Sequence, residues 1–253
     1  MLIVNADDLG RCTTATDRIM ECVGANRVTA ASAMVLMADS ERAAELAQRS
    51  GLDVGLHVNF TEEFSAQGVS EELRREHRRV SKFLRRNKYA LLLYNPVLRR
   101  SFRQVFDAQV AEFERLYGTS PLRLDGHQHM HLCSNVVVDK LIPSGTRVRR
   151  NFSFDAGEKN FVNRTYRRIV DSRLRQRHRL TDSFFALSQH LQTLRLARVI
   201  AAAKRGTAEL MCHPEVDNEF NFLLSEDFAN AVTGVELANF CVPNEMQYAG
   251  SLP

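Results

Sequence analysis

Short β-type runs alternate with amphipathic stretches along nearly the whole chain, giving about seven β-α repeats. The β-type runs fall at residues 2–6, 28–37, 53–60, 122–126, 146–149, 183–187 and 207–213. Helical patterns lie between them, near 13–25, 40–49 and 135–141. Two longer ones, 71–94 and 99–117, make a helical insertion around residues 71–117, split by the strong break Asn95-Pro96. A strand that feeds a helix and then another strand pairs in parallel, so the expected class is α/β with a mostly parallel sheet. Periodicity leaves open whether that sheet closes into a barrel or stays doubly wound. In both cases ligands gather at the carboxyl ends of the strands. No Pro/Gly/Ser-rich linker divides the repeats, so residues 1–253 are expected to form a single domain.

The chain is long enough, at 253 residues with 44% hydrophobic residues, to bury a core without disulfide staples. No apolar run approaches the ~20 residues of a membrane span. The start, MLIVNADDLG, lacks a basic leader and runs straight into carboxylates, and the five cysteines form no C-x-x-C pair. Reduced thiols in a cytoplasmic protein are therefore expected. The net charge of +4 is unevenly spread: residues 71–103 and 147–179 each carry 11 Lys and Arg against 3 Asp and Glu. The remainder is strongly acidic. Aromatic residues are sparse in the basic segments, so these are read as solvated helix faces and nucleic acid is not the expected partner.

The residues suited to catalysis sit where the β-type runs end. Asp7 and Asp8 close the first, His57 lies within the third, and His213 ends the last. The stretch DGHQHMH, Asp125 to His131, follows the fourth. Adjacent carboxylates facing one buried site repel unless a cation lies between them. In an intact strand Asp7 and Asp8 point to opposite faces, so both serve one site only where the strand ends, and Gly10 permits that turn. The alternative for such a pair is a helix N-cap. Extended, His127, His129 and His131 share one face; in a helix His127 and His131 do, at i, i+4. Either arrangement suits divalent-metal ligation by imidazole, with Asp125 able to fix a ring tautomer from behind. Alone on an apolar strand, His57 reads as a satisfied core histidine; with Asp8 and His127 it would complete an Asp-His-His set that leaves open positions, as catalytic metal sites require, and His131 is the alternative third ligand. His213, at the end of the last run, can serve as general acid or base.

NADDLG at residues 5–10, GLHVNFT at 55–61, DGHQHMH at 125–131 and MCHP at 211–214 resemble the motifs of the YdjC-like carbohydrate deacetylases. VTAASAMVLM at 28–37 resembles that family's second strand, and Thr181-Asp182 with Phe184 resembles a further motif. The resemblance implies an irregular, TIM-barrel-like (β/α) barrel and hydrolysis of an N-acetyl group from an amino sugar. It implies Asp8, His57 and His127 as metal ligands, Asp7 as catalytic base and His213 as general acid. It also implies Arg149, Asp182, His129 and His131 as substrate-binding residues, and a homodimer. The metal implied is Mg2+, whereas a His2Asp donor set also suits Zn2+, Co2+ or Mn2+ on ligand softness. Leu9 and Glu215 stand where the family pattern has phenylalanine and glycine. Rival readings are a metallohydrolase of another amide or a phosphoester, and a glycan- or nucleic-acid-binding protein with a vestigial metal site.

Overall fold

The computed structural model describes residues 1–154, 161–191 and 193–241. Seven strands form the sheet: β1 (Leu2–Leu9), β2 (Ala30–Ala33), β3 (Asp53–Val58), β4 (Arg123–Gly126), β5 (Arg147–Val148), β6 (Ser183–Ala186) and β7 (Ala208–Cys212). Their order is β5-β4-β3-β2-β1-β7-β6, and every pair is parallel. The sheet curls until its edges approach each other. The Val148 N–H donates to the Arg179 carbonyl (2.9 Å) and the Arg179 N–H to that of Thr146 (3.2 Å), just before β6 begins. The architecture is thus the irregular TIM-barrel-like one. β1 lies in the interior of the sheet, between β2 and β7.

Helices cover the outside: α1 (Thr13–Gly24), α2 (Ser40–Ser50), α3 (Glu71–Arg85), α4 (Arg99–Tyr117), α5 (Ser134–Val138), α6 (Phe161–Arg175), α7 (Thr193–Arg205), α8 (Asp217–Leu224) and α9 (Glu226–Val232). None of the described helices is long and apolar enough to cross a membrane. The period-2 alternation of the strands sorts their side chains by chemistry. Outward residues such as Val4, Ala31, Leu56, Leu124, Phe185 and Leu210 join one large apolar cluster with the helices. Each large side chain buried there contributes about 1.5–3 kcal/mol. Inward, only two small apolar clusters appear among the described residues, Ile3/Ala30/Phe240 and Phe184/Ala186/Met211. Between them the barrel is filled by Asn5, Ser32, Arg123, Asp125, Arg149 and Glu209, all buried. Gly55 makes room for this filling: a Cβ there would lie 2.8 Å from Cζ of Arg123.

Two expected elements are shorter than the sequence pattern suggests. The helix expected over 71–94 ends at Arg85 and resumes as a 3-10 turn, Ala90–Leu92. Asn87 is the local cause: its Oδ1 accepts the Tyr89 N–H (2.9 Å) and its carbonyl the Ala90 N–H (3.1 Å), a turn that competes with the helix. The run at 28–37 pairs only over Ala30–Ala33, and Leu36 adopts a left-handed φ of 61°.

Candidate active site

Strand alternation alone would send Asp8 outward. Instead its φ is +69°, and the register of β1 on β2 shifts between Ala6 and Leu9. The turn that brings both carboxylates to the barrel mouth is therefore made at Asp8 itself. At the end of β4 the chain does something similar. Gln128 and His129 are both left-handed (φ 53° and 58°), so 127–132 is neither extended nor a regular helix. The three histidines part company as a result. His127 turns to Asp8, His129 to the rings of Phe152 and Phe184, and His131 folds back under β5. Gly126 allows that return, since a Cβ there would stand 2.9 Å from the His131 nitrogen.

Asp8, His57 and His127 each offer one ligand atom, all within 4.8 Å of one another. Asp8 Oδ1 lies 3.3 Å from His57 Nε2 and 3.0 Å from His127 Nδ1. On the far side of His57, Nδ1 lies 2.7 Å from Asp125 Oδ1, which fixes the ring and leaves Nε2 facing Asp8. Ser32 Oγ donates to the other Asp125 oxygen at 2.6 Å. The environment is strongly anionic. Burial alone would lower the pKa of His57, but Asp7 and Asp125 outweigh it and raise it to about 10. Burial likewise opposes charge on Asp8, yet His127 and His57 hold its carboxyl well below the usual range. An imidazole pulled this far toward its cationic form marks a place where positive charge is strongly favoured. The donor set fits a divalent cation: two ring nitrogens and a carboxylate oxygen on one small volume, with a carboxylate behind one ring.

Asp7 sits beside this group, with Oδ2 3.9 Å from His57 Nε2. It is clamped rather than free. Arg149 donates from both Nη atoms to its two oxygens (2.6 and 2.7 Å), and Asn5 Nδ2 donates to Oδ1 at 2.8 Å. The same guanidinium reaches Asp125 (2.8 Å) and, through Nε, Glu209 (2.7 Å). Three carboxylates thus meet one arginine whose side chain is 1% exposed. Burial would lower its pKa, but Asp125, Asp7 and Glu209 raise it well above the ordinary value. The resemblance makes Arg149 a substrate contact; the structure instead makes it an interior clamp, because the residue that follows β5 turns its side chain into the interior of the curled sheet.

The register Ala6↔Cys212 brings His213 to the strand end next to Asp7. Its backbone N–H donates to Glu219 Oε2 (2.7 Å), and its ring is about one-third exposed. His131 is completely buried, with Nε2 3.0 Å from the Arg149 carbonyl, and burial lowers its pKa to about 4. It belongs to neither of the two groups of possible ligands among the described residues, Asp8 with His57 and His127 or Asp7 with His57 and Asp125. His129 is half-buried in the Phe152–Phe184 pair at the mouth's edge. Asp182 corrects the expectation made for it. It precedes β6 and binds the Thr207 N–H (2.9 Å), at the amino end of the strands and so at the opposite end of the barrel.

The sequence reading missed several participants. Glu62 lies 3.3 Å from His127 Nε2 and accepts from Arg11 at 3.0 Å, while Arg11 also donates to Glu215 Oε2 at 2.6 Å. Arg11 is 3.8 Å from Asp8, so it bridges the rim across three strand ends. Glu209 carried a visible signal, a lone charge inside the apolar run AELMC. Glu62 also follows a strand end directly, the position that singled out the other candidates.

An all-parallel curled sheet with a cluster of carboxylate and imidazole donors at its carboxyl end defines the class: a TIM-barrel-like α/β protein with a group of possible metal ligands at its mouth. The chain matches the family described as YdjC-like protein over residues 1–244 and belongs to that family. A carbohydrate deacetylase of Homo sapiens is 33% identical over 242 residues, covering 84% of this chain and 74% of its own. A chitooligosaccharide deacetylase of Serratia marcescens is 32% identical over 133 residues, covering 52% of this chain and 51% of its own. A solved Enterococcus faecalis protein, thought to cleave cellobiose phosphate, shares the fold with a TM-score of 0.64 at 19% identity, covering 94% of this chain and 96% of that one.

Proposed function

We propose that the protein is a metal-dependent deacetylase that removes an N-acetyl group from an acetylated amino sugar. The observation that carries this reading is the convergence of Asp8, His57 and His127 beside a carboxylate held in place by arginine. Its YdjC-like relatives named as carbohydrate deacetylases support it. Asp8, His57 and His127 would hold the cation, which supplies Lewis acidity toward the amide carbonyl and toward water. Mg2+ follows from the family resemblance, and Zn2+, Co2+ or Mn2+ from the donor set. Asp7 accepts the proton of the attacking water, and the Arg149 fork and Asn5 keep its oxygens oriented without a further rotation. His213, on the neighbouring strand end, donates to the departing amine, which is too basic to leave unprotonated. His129 and the Phe152–Phe184 pair offer an apolar wall for the sugar ring. A cytoplasmic homodimer belongs to the same reading.

The test is acetate release from a panel of N-acetylated sugars by purified protein whose metal content has been measured. Release that tracks bound metal, and that His57→Ala abolishes, supports the proposal. Hydrolysis of generic phosphoesters without acetate release would move the protein to another hydrolase class.

A further inference from the structure

Between the middle of α3 and that of α4, residues 77–106 carry nine Lys and Arg and no Asp or Glu. The inward residues of this stretch, among them Phe83, Ala90, Leu98 and Phe102, are buried. Its outward residues are not uniformly polar. Tyr89 is 59% exposed, Leu93 45% and Val97 76%, and Leu92 and Tyr94 are also exposed. Exposed Val138 of α5 adjoins them, because Tyr94 Oη donates to Asp139 and Asn95 is paired with Asn135 on both sides. Single exposed apolar residues need no explanation; a group of six within one segment and its neighbour does.

The charges around the group lack carboxylate partners. Arg85, Arg86, Lys88 and Arg100 are exposed and make no ion pair with the described residues. Asp139, which accepts from Tyr94 of the group, is already paired with Arg99 at 3.0 Å. Exposed aromatic and aliphatic side chains ringed by uncompensated cations are the composition of an interfacial surface. We propose that residues 85–100, with Val138, dock the protein on an anionic lipid surface. Tyr89, Leu92, Leu93 and Val97 enter the headgroup–acyl boundary, and the arginines and lysine face lipid phosphates. A second copy fits worse, because a twofold contact sets this cationic patch against itself. Nucleic acid would use the cations but would leave Leu92, Leu93 and Val97 without a partner. Docking also sets the active-site mouth at the membrane. Lys88, Tyr89 and Leu92 line a cavity of about 360 Å³ together with His129 and Phe152.

The absence of tryptophan makes the test direct, since Leu93→Trp introduces the sole indole. The full chain is cosedimented with vesicles of phosphatidylcholine alone and with vesicles that include phosphatidylglycerol. Binding to the anionic vesicles, with a blue shift of the introduced indole's emission, is expected. Each basic residue near such a surface is worth roughly fivefold in partitioning, so the Arg85→Gln/Arg86→Gln/Lys88→Gln variant should bind at least tenfold more weakly. Leu93→Asp should weaken binding as well, with unfolding followed by circular dichroism. No binding to anionic vesicles at low salt overturns the proposal, as does binding without a blue shift. Tighter binding to nucleic acid, or self-association that Leu93→Asp abolishes, would do the same. Vesicle binding is read without turnover, so the outcome is independent of the reaction proposed for the site.

Discussion

At the scale of single residues, the two neighbouring carboxylates of β1 are distinguished by what surrounds them. Asp8 faces two imidazoles, whereas Asp7 is gripped by a guanidinium. Asp7→Asn is expected to keep stoichiometric metal and to lower kcat by about 10²–10⁴-fold. Asp8→Asn should lose metal affinity too, read by metal analysis after dialysis. Equal metal loss in both would remove the distinction. Arg149 poses a different problem, because its removal strands Asp7, Asp125 and Glu209 in the barrel. Breaking one buried pair by deleting a partner costs about 3–5 kcal/mol, a large share of a domain's ~5–15 kcal/mol. Arg149→Met should therefore lower Tm steeply, with or without metal, whereas a residue that only touched substrate would leave Tm unchanged.

At the scale of elements, α3 shows where a sequence pattern misleads. Arg74, Arg75, Arg78 and Arg79 lie on one helical face and look equally solvated. Arg74 instead bends back to the loop before the helix and donates to the carbonyls of Phe64, Val69 and Ala66. Arg74→Ala should destabilise the protein by about 1–3 kcal/mol in urea unfolding, and Arg75→Ala or Arg78→Ala should stay within ~0.5 kcal/mol. The strands were legible because β-type runs alternate with helical ones along the sequence, and the ends of those runs led to Asp7, Asp8, His127 and His213, with His57 inside one of them. The left-handed turns at Asp8, Gln128 and His129 were not. None is a glycine, and the tertiary contacts of Asp8 and His129 with other strands form only in the folded barrel. Asp182 was misplaced through its motif, although it stands before a strand rather than after one.

At the scale of the whole molecule, the barrel holds charge where most proteins hold hydrocarbon, and with the proposed metal site this couples metal to protons. With His57 raised to about 10, the metal-free protein carries a protonated ring at neutral pH, and a ligating ring must be neutral. Metal binding should expel close to one proton, and apparent affinity should rise about tenfold per pH unit until pH nears 10. Calorimetry in buffers of different ionisation enthalpy reads the proton count. In the metal-free chain the sign is the reverse: a raised histidine stabilises the fold below about pH 6.5, and that contribution fades as pH climbs through 10. The strand order has a consequence in time as well. β1 is translated before β7, which lies some 200 residues later and is one of its two neighbours. Until the ribosome has released that stretch, one edge of β1 is bare and Arg149 lacks Glu209, one of its three carboxylates. A nascent or truncated chain ending before residue 208 is thus an open sheet, vulnerable to pairing with other chains. Only once β7 has been made can the sheet close up around Arg149.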